Sequence, residues 1–363
     1  MLCVSEQTLN ASSLNITLGV SARFCVTCKS SKFKGEELMA RATLLSSIFV
    51  IAISSLTPTS AQTTPLDCGP SEDANACYEK GEAFSKQGKL EEAARYFDKV
   101  VQLRPDFAQA FNELCVCYSN LREYEKAIKI CRQTVELRPD SHVARLNLGK
   151  VLNYLGSYDE SIKEIEYAIQ LKPDSSDAHY NLSLPYSNLG RFEEAASALR
   201  EAVRLNSGDA VALNNLGTMY YRQGRNDEAL ASLKEAVRLR PNMAEGFGNL
   251  GVVYAEMKQH NRAIEQYRHA LDLKPNYPQV WFLIACSQTM LGKYENARDS
   301  FLEAIRLKPE YDEAYHGLGV IYLKLHKKAA AIEQYKKLKS LNSNLANSLF
   351  EVIYSDKVLI LHN

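Results

Sequence analysis

The stretch from Ala210 to Met243, AVALNNLGTMYYRQGRNDEALASLKEAVRLRPNM, decides the fold of this chain. Two sets of apolar and small residues recur within it at helical spacing: Leu216, Gly217 and Tyr220 in the first half, and Ala229, Leu233 and Ala236 in the second half. Gly224 between the halves tolerates a positive φ, and Pro241 after the second half stops a helix. The stretch therefore predicts two helices joined by a tight turn.

The same pattern returns every 34 residues without insertion. When the proline is numbered as position 32, eight repeats follow one another: 74–107, 108–141, 142–175, 176–209, 210–243, 244–277, 278–311 and 312–345. Position 20 is alanine in every repeat except the third, where it is Ser161. A fixed period of this length indicates one helical unit copied in tandem, so we expect an all-α solenoid whose repeats stack on one another.

The pattern Leu-Gly-x-x-Tyr, followed by alanine, an aromatic or aliphatic residue, alanine and proline, resembles the tetratricopeptide repeat over residues 74–345. The resemblance implies antiparallel helix pairs in a right-handed superhelix with a concave groove. After Leu345, the segment ANSLFEVIYSDKVLI predicts a capping helix within residues 346–363. Its expected apolar face consists of Leu349, Phe350, Val352 and Ile353.

The strongly apolar run from Ala42 to Leu56 predicts a secretory signal peptide over residues 39–61. The run would be about 22 Å long as a helix, which is short for a hydrocarbon core of ~30 Å. Arg41 precedes it, and small residues before Ala61 suit a cleavage site. Residues 62–73 read as a linker. We expect an exported protein, periplasmic or secreted, that meets the membrane only through this peptide; an uncleaved anchor is the alternative.

Residues 1–38 fit poorly before a signal peptide, which should begin near the chain start. Met39 would make a normal start, and Gly35-Glu36-Glu37 requires purine-rich codons that resemble a bacterial ribosome-binding site. The hypothesis is that the protein is bacterial and that residues 1–38 are not translated, or are disordered. The Cys25–Cys28 pair falls in this segment and has no second pair near it, so we expect no metal or redox site there.

The charge balance argues against a nucleic-acid partner. Without residues 1–61 the chain carries 38 basic and 40 acidic residues, because five of the 43 basic and three of the 43 acidic residues are removed. Nucleic-acid binding favours a basic face instead. One local basic cluster lies in repeat 8, and it reads either as a solvated end or as a contact for anionic lipid or an acidic partner: Lys324, Lys327, Lys328, Lys336, Lys337 and Lys339.

Six cysteines follow the signal peptide. Cys68 and Cys77 are close in sequence and could form a disulfide that ties the linker to repeat 1. Cys115 and Cys131 occupy the core positions 8 and 24, where cysteine is expected to serve as a small apolar residue. Sequence alone does not assign pairings.

The family resemblance implies that positions 2, 5, 6, 9, 12 and 13 of each first helix line the groove. Position 6 is asparagine in four consecutive repeats: Asn147, Asn181, Asn215 and Asn249. Asparagine offers an acceptor and two N–H donors, which suits an extended peptide backbone. A similar ladder lines the groove of O-linked N-acetylglucosamine transferases, although asparagine is also ordinary at this position of the family. Further expected groove residues are Tyr180, Asn214, Tyr221 and Phe282.

Two local features qualify the groove. The basic clamp of family members that bind chaperone C-termini is absent at position 5, so that partner class is not expected. In repeat 4, Pro185 falls inside the first helix and Ser207-Gly208 replaces the usual proline. Pro185 predicts either a tolerated kink or a hinge that alters the groove near Tyr180.

No motif of an enzyme is present. The sequence has no glycine-rich phosphate loop, no HExxH and no GxSxG, so we expect no catalytic residue, metal or small-molecule cofactor. The leading hypothesis is a non-catalytic scaffold that binds a peptide or partner protein in its groove. The alternatives are a structural or assembly factor of the cell envelope that acts through its ends or convex face, and an accessory subunit that delivers substrates to a separate enzyme.

Overall fold

A computed structural model describes residues 73–354, which form seventeen α-helices and no strand. The first helices of the eight repeats are α1 (Ala74–Lys86), α3 (Ala108–Asn120), α5 (His142–Tyr154), α7 (Ser176–Asn188), α9 (Ala210–Arg222), α11 (Ala244–Glu256), α13 (Pro278–Met290) and α15 (Asp312–Lys324). The second helices are α2 (Leu90–Leu103), α4 (Tyr124–Leu137), α6 (Tyr158–Leu171), α8 (Phe192–Leu205), α10 (Asn226–Leu239), α12 (His260–Leu273), α14 (Tyr294–Leu307) and α16 (Lys328–Ser340). Helix α17 (Leu345–Tyr354) follows them. The predicted all-α solenoid is confirmed.

The helix pairs of repeats 1, 3, 5 and 6 close where a glycine at position 8 meets a large side chain at position 24. A Cβ atom added to Gly149 would lie 2.4 Å from Ile165 Cγ1, and one added to Gly251 would lie 2.4 Å from Tyr267 Cε1. Both large side chains are fully buried. Glycine is therefore required in these two repeats, because a side chain at position 8 would force the helices apart.

The turn between the two helices of a repeat adopts a left-handed backbone at position 15. Five repeats place glycine there, with φ between 70° and 79°: Gly88, Gly156, Gly190, Gly224 and Gly292. The other three hold the same conformation with Arg122, Lys258 and His326, at φ of 59–60°. These three residues carry a steric cost that glycine avoids.

Repeat 2 closes with a disulfide. Cys115 on α3 and Cys131 on α4 are bonded, with their Cα atoms 5.2 Å apart, so the expectation that they act as small apolar thiols is wrong. The physical reason is that position 24 of repeat 2 is the small residue Cys131. Its sulfur bonds to that of Cys115 in the space that a large side chain fills in other repeats. Cys77 is buried and disulfide-bonded; Cys68 lies outside the described residues, so the Cys68–Cys77 pair stays a prediction.

The disulfide lies at a junction in the hydrophobic core. Buried apolar residues of α1–α3 form one cluster around Phe97 and Leu114. The main cluster begins at Leu146 and continues to Ile321. Between them lies a small cluster, the junction cluster: Cys115, Ala127, Cys131, Leu148, Val151 and Leu152.

The two irregularities of repeat 4 do not interrupt the solenoid. Helix α7 continues through Pro185, whose carbonyl accepts a hydrogen bond from the Leu189 N–H at 3.0 Å. The Ser207-Gly208 turn is closed by a bond from the Asp209 N–H to the Asn206 carbonyl at 3.2 Å. The tolerated-kink interpretation is consistent with this continuity, and the hinge stays a prediction.

Helix α17 covers the last helix pair. Leu349 is buried over Gly319, where an added Cβ would lie 2.5 Å from Leu349 Cδ2, and Ile353 is buried beside it. Phe350 lies at the edge of the covering face, because its ring centroid is 5.5 Å from that of Tyr335 on α16 while its side chain is 45% exposed.

Within residues 73–354 no helix combines the length and apolar character needed to cross a membrane. The segments interpreted as an untranslated start, a signal peptide and most of the linker lie outside the described residues.

Candidate peptide-binding groove

The first helices line one continuous surface of the solenoid. Most consecutive first helices lie in contact, as α3 does with α5 and α9 with α11, whereas no two consecutive second helices in the described part of the chain come as close. Helices that lie closer together mark the inner side of a curved stack. The inner surface is therefore formed by the first helices, and we call it the groove.

Asparagine side chains join neighbouring first helices across the groove. Asn147 Nδ2 donates to Asn112 Oδ1 at 3.0 Å, and Asn249 Nδ2 donates to Asn214 Oδ1 at 3.0 Å. In each pair a residue at position 6 donates to position 5 of the preceding repeat, 35 residues earlier. Each pair consumes one of the two N–H donors of the position-6 amide.

A third bond of this type uses a phenol. Asn215 Nδ2 donates to the Tyr180 hydroxyl at 3.2 Å, and Asn214 Nδ2 donates to Asn215 Oδ1 at 3.3 Å. Burial raises the pKa of Tyr180 to about 12. The hydroxyl therefore stays protonated at physiological pH.

Asn181 is the exception among the four asparagines. Its Nδ2 donates to the backbone carbonyl and to Oδ1 of Asp177, both at 2.7 Å. The preceding repeat carries Leu146 at position 5, which offers no acceptor. The Asn181 side chain therefore bonds within its own helix. The Asn181 backbone carbonyl lacks its usual helical donor, because Pro185 four residues later has no N–H.

The predicted groove residues differ in their access to a ligand. Asn181, Asn214 and Asn249 are buried, whereas Asn147, Asn215, Tyr180 and Tyr221 are half-buried. Phe282 is fully buried against Phe301 and Tyr311, with ring centroids at 5.6 and 5.3 Å. The expectation that Phe282 adds aromatic surface is wrong, because these two rings enclose it.

Helix α5 carries two exposed large side chains of the groove, and Met290 at position 13 of α13 is a third. Tyr154 is 46% exposed and stacks on Tyr124 at 4.9 Å, and Val143 is exposed as well. Between them, Lys150 Nζ lies 3.0 Å from Asp177 Oδ2 of the next repeat. The centre of the groove therefore combines apolar surface with a locally neutralised charge pair.

The N-terminal part of the groove, in repeats 1 and 2, carries the carboxylates of Glu82 and Glu113. Burial raises the pKa of Glu113, with a further contribution from the charge of Glu82, while a bond from Asn112 Nδ2 at 3.4 Å opposes the shift. Burial and the same two carboxylates raise the pKa of Tyr78 to about 12. Burial thus makes the charged form of Glu113 less favourable than it is in water.

Sequence reasoning missed three residues that join the first helices: Asn112, Asn153 and Asn188. Asn188 Nδ2 donates to Asn153 Oδ1 at 3.1 Å, again between residues 35 apart. A search for polar side chains spaced by 35 residues would have found these pairs.

Comparison with known proteins identifies the repeats. A family model described as the cilia and flagella-associated protein 70 C-terminal domain matches residues 36–246. Models of the tetratricopeptide repeat match residues 244–277, 289–325 and 312–345. No curated protein matches the chain.

Solved structures share the fold. The chain aligns with a chain of the APC/C hetero-tetramer Cut9–Hcn1 at a TM-score of 0.55 and 17% identity, over 73% of this chain and 53% of that one. It therefore spans about half the length of that relative. A Pseudomonas aeruginosa pilF structure aligns at a TM-score of 0.51 and 26% identity, over 59% of this chain and 98% of that one.

Proposed function

Because the chain belongs to the tetratricopeptide repeat family described as the C-terminal domain of cilia and flagella-associated protein 70, we propose that it is a non-catalytic scaffold whose groove binds an extended peptide segment of a partner protein. The observation that carries this proposal is the accessible surface of α5. Tyr154 and Val143 are exposed there beside the half-buried amide of Asn147. Such a surface offers apolar contact for side chains and hydrogen bonding for a peptide backbone.

The asparagine ladder supports this function indirectly. The bonds between neighbouring first helices hold the groove in one geometry, and a preorganised surface loses less entropy when it binds. The buried Asn249 contributes to that geometry, whereas Asn147 and Asn215 are the position-6 asparagines whose side chains stay partly exposed.

A site-specific crosslinking experiment tests the proposal. The photo-reactive residue p-benzoylphenylalanine replaces Tyr154 in the groove, or Tyr167 on the outer surface of α6, which is similarly exposed at 42%. We expect crosslinks to a partner protein from position 154 and few from position 167. Equal crosslinking from both positions, or crosslinking from 167 alone, would contradict binding in the groove.

The exposed end of α17 favours a second candidate function, assembly through the C-terminal end. Phe350 and Tyr354 are exposed with ring centroids 4.6 Å apart, and Lys328 Nζ lies 5.0 Å from the Tyr354 ring. Aromatic side chains are enriched at protein interfaces. Crosslinking from position 350 rather than 154 would favour this candidate.

We propose in addition that the protein works in an oxidising compartment, as expected for an exported protein. The Cys115–Cys131 disulfide supports this, because structural disulfides persist mainly outside reducing cytosol. A free-thiol titration of the protein from its native source should find Cys115 and Cys131 blocked. Free thiols at both positions would contradict this localisation without affecting the groove proposal.

A further inference from the structure

Position 11 of each first helix holds an aromatic ring in six of the eight repeats. The rings are Phe84, Tyr118, Tyr186, Tyr220, Tyr254 and Tyr322. The two exceptions are Leu152 and Gln288. Only Gln288 replaces the ring with a polar side chain.

Cationic side chains lie over five of these six rings, those of Phe84, Tyr118, Tyr186, Tyr220 and Tyr254. The guanidinium carbon of Arg191 lies 4.6 Å from the Tyr186 ring centroid, and that of Arg225 lies 4.5 Å from the Tyr220 ring. Both arginines occupy position 16. The geometry is that of a cation–π contact.

Two further cationic side chains, at positions 25 and 19, lie near the position-11 ring of repeat 6, Tyr254. Lys234, at position 25 of the preceding second helix, lies 5.9 Å from the Tyr254 ring centroid. Arg262, at position 19 of the same repeat, lies 6.0 Å from it. The position-11 ring therefore lies between the second helix of one repeat and the second helix of the next.

In repeat 7 the corresponding residues surround an open cleft of about 470 Å³. Lys293 occupies position 16, Asn296 position 19, and Arg268 position 25 of the preceding repeat; all three line the cleft together with Gln288. The cleft thus coincides with the place that an aromatic ring fills in the neighbouring repeats.

Gln288 is held at the base of this cleft. Its side chain is only 6% exposed, and its Oε1 accepts a hydrogen bond from Ser300 Oγ at 2.8 Å. The remaining lining side chains are Asn261, Ile264, Glu265, His269 and Asp272. Because the carboxylates of Glu265 and Asp272 share the cleft with the two cations, the lining does not favour an anion.

We propose that this cleft binds the aromatic side chain of a tyrosine from a partner protein, in the place of the missing position-11 ring. Arg268 and Lys293 contact the ring faces, as arginine and lysine do at Tyr254 and Tyr220, and Ile264 supplies apolar contact. The amides of Gln288 and Asn296 bind the hydroxyl. This site lies on the outer surface and is independent of the groove.

The test uses N-acetyl-L-tyrosinamide as the probe and the full chain as the protein. We expect saturable shifts of the NMR amide signals of Gln288, Lys293 and Arg268 on titration. N-acetyl-L-leucinamide and inorganic phosphate serve as comparison ligands and should leave these signals unchanged. Equal shifts with leucinamide would overturn the proposal, and so would shifts with phosphate alone.

The variant Gln288→Tyr fills the cleft from within. The tyrosine should be accommodated beside Ser300 at position 23, because repeat 5 already has a tyrosine at position 11 and Ser232 at position 23. The probe should no longer shift Lys293 in this variant, whereas Gln102→Tyr, which adds an exposed tyrosine on α2, should behave like the unmodified protein.

Two milder variants keep the proposal testable if Gln288→Tyr fails to fold. Arg268→Gln and Lys293→Gln each remove one cation, and each should weaken probe binding about threefold, because an exposed cation–π contact contributes modestly. Unchanged binding in both variants would show that the cleft does not bind a ring in the proposed way.

Discussion

Asn249 donates its side-chain amide to Asn214, which lies 35 residues earlier in the chain and on the neighbouring first helix. Both side chains are buried, with Asn249 only 4% exposed. A residue expected to meet a ligand is therefore part of the bonding that holds two repeats together. The same relationship joins Asn147 to Asn112 closer to solvent.

This difference in burial predicts unequal costs of removing the two amides. Asn249→Ala leaves the buried Asn214 Oδ1 without its donor and should lower the free energy of unfolding by about 1–2 kcal/mol. Asn147→Ala removes a half-buried bond and should lower it by less than about 1 kcal/mol. Urea unfolding followed by circular dichroism measures both values. A larger loss for Asn147→Ala would contradict the structural role assigned to Asn249.

The left-handed turn residues predict a stabilising substitution. Lys258 holds a φ of 60° where five other repeats use glycine. Lys258→Gly should raise the free energy of unfolding by roughly 0.5–1 kcal/mol. Glycine avoids the steric cost of the left-handed backbone, and the larger backbone entropy that it loses on folding offsets only part of this gain.

Lys163→Gly is the control for this substitution, because Lys163 is exposed in the interior of helix α6. There glycine should lower the free energy of unfolding by about 1 kcal/mol. Thermal melts of the two variants should shift in opposite directions, and a common direction would refute the interpretation of the turn.

The disulfide of repeat 2 predicts a local loss of stability on removal. Replacing Cys115 and Cys131 with serine should lower the free energy of unfolding by about 3 kcal/mol, as expected for a loop of this length. Hydrogen exchange should rise first in α3 and α4, because the junction cluster is small. Cys117→Ala leaves the disulfide intact and serves as the control; uniform exchange across all helices would contradict a local effect.

The raised pKa of Glu113 predicts a pH-dependent stability. A carboxyl whose pKa is higher in the folded than in the unfolded state favours folding when protonated, and this contribution is lost as the pH rises through the folded pKa. Glu113→Gln should therefore stabilise the protein at pH 7, and the gain should disappear below the ordinary carboxyl pKa of 4.5. Thermal melts at pH 7 and pH 4 measure this effect. Glu79→Gln, at the exposed position 6 of repeat 1, should show no such gain.

The sequence was sufficient to predict the helix pairs and their stacking, because positions 8, 20 and 24 repeat with one period. It was less informative about the groove. Phe282 occupies a groove position by its number, yet Phe301 and Tyr311 enclose it. Whether a given position is exposed depends on side chains from two repeats at once, and periodicity within one repeat does not include that information.

Periodicity was equally insufficient to predict the bonds that the cysteines and the asparagines form. The spacing of Cys115 and Cys131 marks them as core residues but does not distinguish two thiols from a disulfide. The asparagine column is visible in the sequence, whereas its acceptors stand one position earlier in the preceding repeat. Predicting these bonds requires the offset between stacked repeats, which only the three-dimensional structure supplies.

The bonds between asparagines join the first helices along the inner edge of the solenoid, while the second helices lie farther apart and are bridged by exposed ion pairs such as Arg132–Glu160. The first helices therefore resist being pulled apart, whereas the distances between second helices can increase. Changes of curvature would therefore leave the length of the groove nearly constant and alter the spacing of the second helices. The outer cleft beside Gln288 is the place where such bending would change the width of a binding site.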